Sequence, residues 1–172
     1  SGLLMNRLAL RRIMAGSSPS EDLDAMRHES KSPGDRTVIR EIRESGSKTA
    51  RERILSLLDD GSFVEIDAFV RHRSEDHGMH LHNPLGDGVV AGHGMLDGRR
   101  VACFSQDFAV FSGTMGEMHA RKICKILEFA EKARLPVIGI WDGDGQRPHE
   151  GVTSLGPNGE LLDLLVSCSG KV

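Results

Sequence analysis

Aromatic residues are scarce in this sequence. Phe, Trp and Tyr together make up 4% of the 172 residues, with one Trp and no Tyr. Proteins that bind single-stranded nucleic acid stack the bases on aromatic side chains, and the formal net charge of −3 offers no excess of basic residues for a phosphate backbone. The composition therefore argues against nucleic acid as a partner. It predicts a core built from Ile, Leu, Val and Met.

Long apolar runs and closely spaced cysteines are also missing. No run approaches the roughly 20 apolar residues that a membrane-spanning helix needs, so we expect no membrane span. Cys103, Cys124 and Cys168 stand far apart in apolar contexts, without a Cys-x-x-Cys pair. They predict buried thiols in a reducing compartment, and hence a cytoplasmic protein.

Residues 1–47 give the weakest indication of structure or function in the sequence. Arginines among leucines, with no acid before Glu21, suit an amphipathic helical arm starting near Met5 or an organelle presequence. We favour the arm, because chain termini commonly form such segments. A presequence would instead place the protein in the mitochondrial matrix. Ser, Pro, Gly and charged residues over 17–47 predict a linker. The chain is therefore divided into an arm and linker, 1–47, and a domain, 48–172.

A capped helix opens the domain. Thr49 and Glu52 form a capping box for a helix that runs to about Leu58. Arg51 and Arg53 in this helix could bind a phosphate, but solvated helix charges are the favoured interpretation.

A strand and a hairpin follow. Residues 63–73 are rich in Phe, Val and Ile and predict a strand. Asp97-Gly98 separates two strand-like runs, 88–96 and 99–106, and predicts a hairpin with a type I′ turn.

Three histidines lie between these elements. His77, His80 and His82 sit beside Gly and Pro, and no nearby carboxylate or cysteine completes a compact metal site. We interpret them as exposed loop residues and predict no bound metal.

Two helices are predicted in the C-terminal half. Thr114 and Glu117 have capping-box spacing before an amphipathic helix to about Arg134. Residues 152–168 are also helix-like, as two short helices or one bent helix around Gly156-Pro157.

An apolar run that ends in a glycine-rich turn is the strongest functional signal. Residues 136–140 predict a strand buried on both faces, and Asp142-Gly143-Asp144-Gly145-Gln146-Arg147 follows it. Glycine permits backbone conformations closed to other residues, and the N–H groups before the next helix would point outward unpaired. Such N–H groups form oxyanion holes in acyl-transfer enzymes.

A series of motifs carries a family resemblance. In order and spacing, the sequence from about Thr49 to the C-terminus resembles the carboxyltransferase (beta) subunit of biotin-dependent acyl-CoA carboxylases, in the propionyl-CoA and methylmalonyl-CoA branch. The matching motifs are Ala50-Arg51-Glu52-Arg53-Ile54, Asp60-Gly61-Ser62-Phe63-Val64-Glu65, Gly86-Asp87-Gly88-Val89-Val90, Phe104-Ser105-Gln106-Asp107-Phe108 and Glu150-Gly151-Val152.

The resemblance implies a fold and a reaction. The fold would be α/β, a crotonase-like (ClpP/crotonase) β-β-α superhelix, incomplete because only the family's N-terminal portion is matched. The reaction would move carboxylate between carboxybiotin and the α-carbon of a short acyl-CoA. Biotin would be carried on a biotin carboxylase or carboxyl carrier partner, acyl-CoA would be the substrate, and further carboxyltransferase chains would complete a homo-oligomer.

The resemblance also implies site residues. The backbone N–H groups of Gly145 and Gln146 would be the catalytic oxyanion donors. Gly113, Thr114 and Lys122 would contact the acyl-CoA. Arg147 is a further candidate for substrate binding, although it and Glu150 more readily brace the loop.

Two departures keep other functions open. Asp144 replaces one glycine of the family's glycine pair, so we expect it either to restrict the loop or to adopt a left-handed conformation. The family's second oxyanion motif lies beyond the matched portion. A malonyl-type or methylmalonyl-type decarboxylase subunit uses the same oxyanion chemistry, and a catalytically inactive assembly module is the third reading.

Overall fold

The N-terminal segment is helical and packed, where the sequence predicted a linker. The structure, a computed structural model, describes residues 18–172, so the predicted start of the arm near Met5 lies outside it. Helix α1 is Pro19–Ser30 and helix α2 is Arg36–Glu44. Ser18 and Asp35 cap these helices, and the Asp35 N–H donates to the Ala109 carbonyl at 2.9 Å. The linker prediction was wrong, because local capping signals outweigh a polar composition.

Helix α3, Ala50–Leu57, confirms the first capping box. The Thr49 side chain accepts from the Glu52 N–H, and the Glu52 carboxylate accepts from the Thr49 N–H. The arginine side chains of this helix are only 18% and 28% exposed and both are ion-paired, which corrects the favoured interpretation of solvated helix charges. Arg51 pairs with Glu65 at 2.7 Å, and Arg53 pairs with Asp142 at 2.6 Å.

Four strands form one sheet in the order β1-β2-β3-β4. They are β1 (Val64–Glu65), β2 (Val89–Leu96), β3 (Arg99–Gln106) and β4 (Val137–Ile140). The first three pair antiparallel, and β3 pairs with β4 in parallel. The predicted hairpin is confirmed, since Asp97 and Gly98 between β2 and β3 have φ of 49° and 74°.

The predicted strand over residues 63–73 was wrong beyond its first residues, because pairing with β2 covers Val64–Glu65 and ends with the Ile66 N–H bond to Ala91 O. Asp67 has a φ of 51°, which turns the chain out of the sheet. The following segment contains the predicted loop histidines, and these are exposed.

Helix α4, Glu117–Ala133, and helix α5, Leu155–Cys168, lie on one face of the sheet, and helix α3 packs on the opposite face. Side chains of α4 pack with β2 and β3 in the larger core cluster, which also takes Leu161 of α5. The predicted break in the last helix is not present: α5 is continuous, with Pro157 in its first turn, where no intrahelical N–H is needed. Within residues 18–172, no helix is long and apolar enough to cross a membrane.

Strand β4 is half-buried, where the sequence predicted burial on both faces. Its residues have intermediate burial except Gly139, which is exposed. The reason is position, since β4 is the last strand in the sheet order and has no neighbour on its outer side within the described chain.

Candidate active site

Two loops meet where the parallel strands β3 and β4 end. One follows β3 over residues 107–116, and the other follows β4 over residues 141–147. They touch backbone to backbone at Gly113 and Gly143, because a Cβ on either residue would overlap backbone atoms of the other loop. The carboxyl ends of parallel strands are the usual ligand edge of an open α/β sheet.

Four hydrogen bonds hold the backbone of loop 141–147 in place. One is to a side chain, from Asp142 N–H to Gln106 Oε1 at 2.8 Å. Three are between backbone groups: Asp144 N–H to Ser112 O at 3.1 Å, Met115 N–H to Gly145 O at 2.7 Å, and Arg147 N–H to Met115 O at 3.1 Å. The last two form a parallel bridge between Met115 and Gln146. In such a bridge the central residue directs its own N–H away from the partner strand.

This anchoring leaves donors free. Among residues 18–172, the N–H groups of Gly143, Gly145 and Gln146 meet no acceptor. Gly145 and Gln146 are both exposed. Gly145 has a φ of +90°, and a Cβ there would find no atom within 4 Å. The loop therefore carries fixed, accessible donors with open space beside them, which is the arrangement that stabilises a developing negative charge.

Asp144 fits this loop without a left-handed backbone. It is not one of the residues with positive φ, and its N–H donates to Ser112 O. Of the two alternatives, the left-handed conformation is not the one adopted, because the backbone of Asp144 is held at negative φ by this bond to Ser112 O. Its side chain is exposed, where solvent and salt weaken its effect on a nearby charge.

Arg147 lies beneath the loop in a buried ionic cluster. Its Nη1 contacts Asp87 Oδ1 at 2.5 Å and Glu150 Oε1 at 2.8 Å, and its Nη2 donates to Thr114 O at 2.9 Å. The side chains of Arg147, Asp87 and Glu150 are 0%, 0% and 2% exposed. The guanidinium also lies 4.6 Å from the Phe111 ring centroid. This confirms the bracing role; direct contact with substrate stays a prediction for a residue with no exposed surface.

The same carboxylates cap helix α4. Glu150 accepts from the Glu117 N–H at 2.6 Å, and Asp87 accepts from the His119 N–H at 2.9 Å. Negative charge is favoured at a helix N-terminus, and desolvation raises the pKa of Asp87 against the opposing effect of the Arg147 charge. The predicted Thr114 capping box was wrong, because these distant carboxylates take its place. The N-cap residue is Gly116, and a Cβ there would overlap Arg147 and Glu150.

The loop after β3 is strained at the point of contact. Phe111, Ser112 and Gly113 have φ of 49°, 53° and 64° in succession. Left-handed non-glycine residues cost on the order of 1 kcal/mol or more each and persist where the surroundings fix them. The Thr114 hydroxyl donates to Phe111 O at 2.6 Å and closes this turn. Gly113 and Thr114 thus lie beside the donor loop, while their contact with acyl-CoA stays a prediction.

Lys122 lies apart from these residues. It is 2% exposed on α4, and its Nζ donates to Val89 O at 2.7 Å. Burial lowers the pKa of its ammonium to about 8. The edge thus brings together Gly113, Thr114, Gly145, Gln146 and Arg147, whereas Lys122 lies in the interior, and its predicted substrate contact is untested. Sequence reasoning assigned no role to Asp87 or Gln106, although both stand inside the quoted motifs.

The described residues form a mixed α/β fold in which a glycine-rich loop presents N–H groups that meet no acceptor. Residues 41–172 match the family model described as the carboxyl transferase domain. The chain belongs to this family. The resemblance drawn from the motifs is confirmed, while the boundary at residue 48 stays a prediction.

Individual relatives support the same family assignment. The chain is 46% identical over 151 residues to the propionyl-CoA carboxylase beta chain of Saccharopolyspora erythraea, covering 88% of this chain and 28% of that protein. It is 49% identical over 118 residues to the methylmalonyl-CoA decarboxylase subunit alpha of Propionigenium modestum, covering 69% of this chain and 23% of that protein. A transcarboxylase 12S structure with methylmalonyl-coenzyme A bound aligns with a TM-score of 0.85 at 35% identity, covering 90% of this chain and 31% of that one.

Proposed function

We propose that this chain supplies the acyl-CoA side of the active site in a biotin-dependent acyl-CoA carboxylase or transcarboxylase of the propionyl-CoA and methylmalonyl-CoA type. The observation that carries the proposal is the unpaired N–H of Gln146, exposed on a loop that is anchored at four points. The kinship with propionyl-CoA carboxylase beta chains supports it. Because the chain spans less than a third of these relatives, the activity of a complete protein is part of the proposal.

The proposed carboxyl transfer depends on hydrogen-bond donors at the thioester oxygen more than on acidic or basic side chains. Removing a proton from the α-carbon of an acyl-CoA places negative charge on the thioester oxygen, and the ureido group of biotin would accept that proton once carbon dioxide has left it. The Gln146 N–H, and the Gly145 N–H beside it, would hold that oxygen, and one such donor is typically worth about 3 kcal/mol of transition-state stabilisation. Carboxybiotin on a partner would supply the carboxyl group when bound. Arg147 follows Gln146 directly, and its side chain is held by Asp87, Glu150 and the Thr114 carbonyl.

The similarity to these relatives also supports an inference about the complete fold and the partner chains. We infer that the elements from β2 to α5 form the first part of a crotonase-like superhelix, and that a second oxyanion donor comes from sequence outside the matched portion. Further carboxyltransferase chains and a biotin carrier are the expected partners. A transcarboxylase core with this fold assembles as a hexamer, and one relative is named a biotin-dependent carboxylase subunit.

A decarboxylase subunit is the second candidate. The kinship with a methylmalonyl-CoA decarboxylase subunit favours it. Loss of carboxylate from a malonyl-type thioester passes through the same enolate, so the same N–H donors would serve it. An inactive assembly module is the third candidate, and Asp144 beside the donors is the feature that motivates it.

Calorimetric titration tests the proposal. Propionyl-CoA and methylmalonyl-CoA are titrated into the chain alone and into its mixture with a separately expressed remainder of a related subunit. Binding in the mixture, lost in Gly145→Val, is the expected result. Gly46→Val is the matched control, since Gly46 also has positive φ, +79°, and open space around it but lies at the end of α2. A folded chain that binds neither thioester in either form would overturn the proposal and leave the assembly module.

A further inference from the structure

Gln106 connects the donor loop to the interior of the protein. It is the last residue of β3 and is 5% exposed. Its Oε1 accepts the Asp142 N–H at 2.8 Å, and its Nε2 lies 3.3 Å from Nε2 of His119. The side chain therefore spans from helix α4 to the first residues of the loop that carries the Gln146 N–H.

The protonation state of His119 fixes which way the Gln106 amide points. His119 is fully buried, and its Nδ1 lies 3.0 Å from the carbonyl oxygen of Asp87. Burial, together with the charge of Arg147, lowers the pKa of the imidazole to about 3, so the ring is neutral. A neutral imidazole has one donor and one acceptor. Because a carbonyl can only accept, Nδ1 carries the hydrogen and Nε2 accepts from the Gln106 amide nitrogen.

With its amide nitrogen donating to His119, Gln106 has its amide oxygen facing loop 141–147. An amide turned the other way would set its NH2 group against the Asp142 N–H and its oxygen against the His119 lone pair. The Asp87 carbonyl, His119 and Gln106 thus form a directional chain of hydrogen bonds that ends on Asp142 N–H. Among the described residues, Gln106 is the one side chain that anchors the backbone of loop 141–147.

We propose that Gln106 is a positioning residue for the oxyanion donors, oriented by His119 and acting on the Gln146 N–H through Asp142. Both side chains are neutral, so the support adds no charge near the developing enolate. Gln106 Oε1 also stands 3.1 Å from where a Cβ of Gly143 would lie, so it packs under the loop as well. The consequence for catalysis rests on the proposed function, whereas the ordering of the loop does not.

Hydrogen exchange on Gln106→Met tests the anchor. Methionine keeps the length of the side chain and removes both hydrogen bonds. The expected result is faster exchange of the Asp142 N–H by about tenfold, the weight of one net hydrogen bond, with exchange in the hairpin 89–106 unchanged. Ser105→Ala, a neighbouring buried change on β3, is the matched control and should leave Asp142 protected. Unchanged exchange at Asp142 in Gln106→Met would overturn the anchor.

A measurement on the unaltered chain covers the case in which Gln106→Met does not fold. The ¹⁵N shifts of the His119 ring should show a protonated Nδ1 and an unprotonated Nε2. The opposite tautomer would reverse the Gln106 amide and overturn the proposal.

Thioester binding separates this proposal from the proposed function. In the reconstituted mixture, Gln106→Met should weaken propionyl-CoA binding about tenfold. Faster exchange at Asp142 with unchanged affinity would overturn the positioning role while the proposed function stands. If the unaltered mixture binds no thioester, the proposed function fails, and the exchange and tautomer results decide whether the anchor exists.

Discussion

Gly113 and Gly143 bring the backbones of the two loops of the candidate site into direct contact. A Cβ on Gly113 would overlap the carbonyl oxygen of Asp142, and a Cβ on Gly143 would overlap the carbonyl oxygen of Gly113. Gly113 also has a φ of +64°, whereas Gly143 is not among the residues with positive φ. Glycine is thus required at 143 for space, and at 113 for both space and conformation.

Alanine substitutions should separate crowding from backbone strain. Gly143→Ala is expected to lower the free energy of unfolding by about 3 kcal/mol, the upper end for overpacking, because its Cβ would meet backbone that cannot yield easily. Gly145→Ala should cost about 1 kcal/mol, since its φ of +90° disfavours a side chain although the space is open. Gly159→Ala, inside α5 with nothing nearby, should gain about 0.5–1 kcal/mol. Urea unfolding measures all three, and equal losses at 143 and 145 would contradict the crowding.

Removing the buried cation should destabilise the protein in a pH-dependent way. Arg147→Met leaves Asp87 and Glu150 buried without their partner, and breaking such a pair typically costs about 3–5 kcal/mol. Without the opposing charge, desolvation raises the pKa of Asp87 further above its value in the unfolded chain. The folded variant then holds a proton that the unfolded chain releases, so its stability falls as pH rises through the raised pKa. Urea unfolding at pH 5 and pH 8 should show the larger loss at pH 8.

An exposed arginine is the control for that experiment. Arg73 pairs with Glu117 but is 68% exposed, and exposed ion pairs contribute roughly 0–1 kcal/mol. Arg73→Met should therefore change stability little at either pH. A loss as large as that of Arg147→Met would show that burial of the cluster is not the cause.

Neighbouring residues were enough to predict the hairpin, whereas contacts between residues far apart in the sequence were not predicted. Asp97-Gly98 dictates its turn because the left-handed requirement lies in those two residues. The start of α4 is set instead by Glu150, which lies 33 residues from Glu117 in the sequence. The glycines of loop 141–147 identified the loop in the sequence, but nothing in the sequence identified the side chain that anchors it. Gln106 meets Asp142 across 36 residues, and no sequence period reports such a contact.

His119 should make stability depend on pH in the opposite direction to Arg147→Met. Its pKa of about 3 in the folded chain lies below the ordinary value near 6.5, because burial and the positive charges of Arg147 and Lys122 disfavour the imidazolium, with Asp87 opposing. Between these values the unfolded chain binds a proton that the folded chain does not, so stability falls as pH drops from 6.5 towards 3. His119→Gln removes this group. Urea unfolding at pH 5 and pH 7 should show a steeper pH dependence in the unaltered chain by up to about 1.4 kcal/mol per pH unit. Identical slopes would contradict a neutral buried His119.

The cysteines should be inert until the protein unfolds. Burial raises the pKa of the Cys103 and Cys124 thiols to about 11, and the thiolate is the reactive form. All three cysteines are free and buried. Iodoacetamide at pH 8 is expected to modify none of them in the folded chain and all three in urea, as counted by mass spectrometry. Rapid modification of Cys103 under native conditions would contradict its burial.

The outer edge of β4 should drive self-association of the chain by itself. A parallel edge strand presents unpaired N–H and C=O groups to other chains, and β4 is last in the sheet order. Trp141, which follows it, is 49% exposed and packs edge-on against Phe104 at 5.0 Å. Sedimentation velocity should show species heavier than the 18.8 kDa monomer, increasing with concentration. Trp141→Lys should reduce them, because a charge at the end of an edge strand opposes pairing.

The exposed apolar side of α5 is the competing contact, and it supplies the control. Leu162 and Val166 are 65% and 76% exposed on this helix. The double variant Leu162→Lys, Val166→Lys should leave association through β4 in place, since it changes no atom of the strand edge. If it instead abolishes the heavier species while Trp141→Lys has no effect, the helix face is the contact, and the strand edge is protected by the twist and end residues of the sheet.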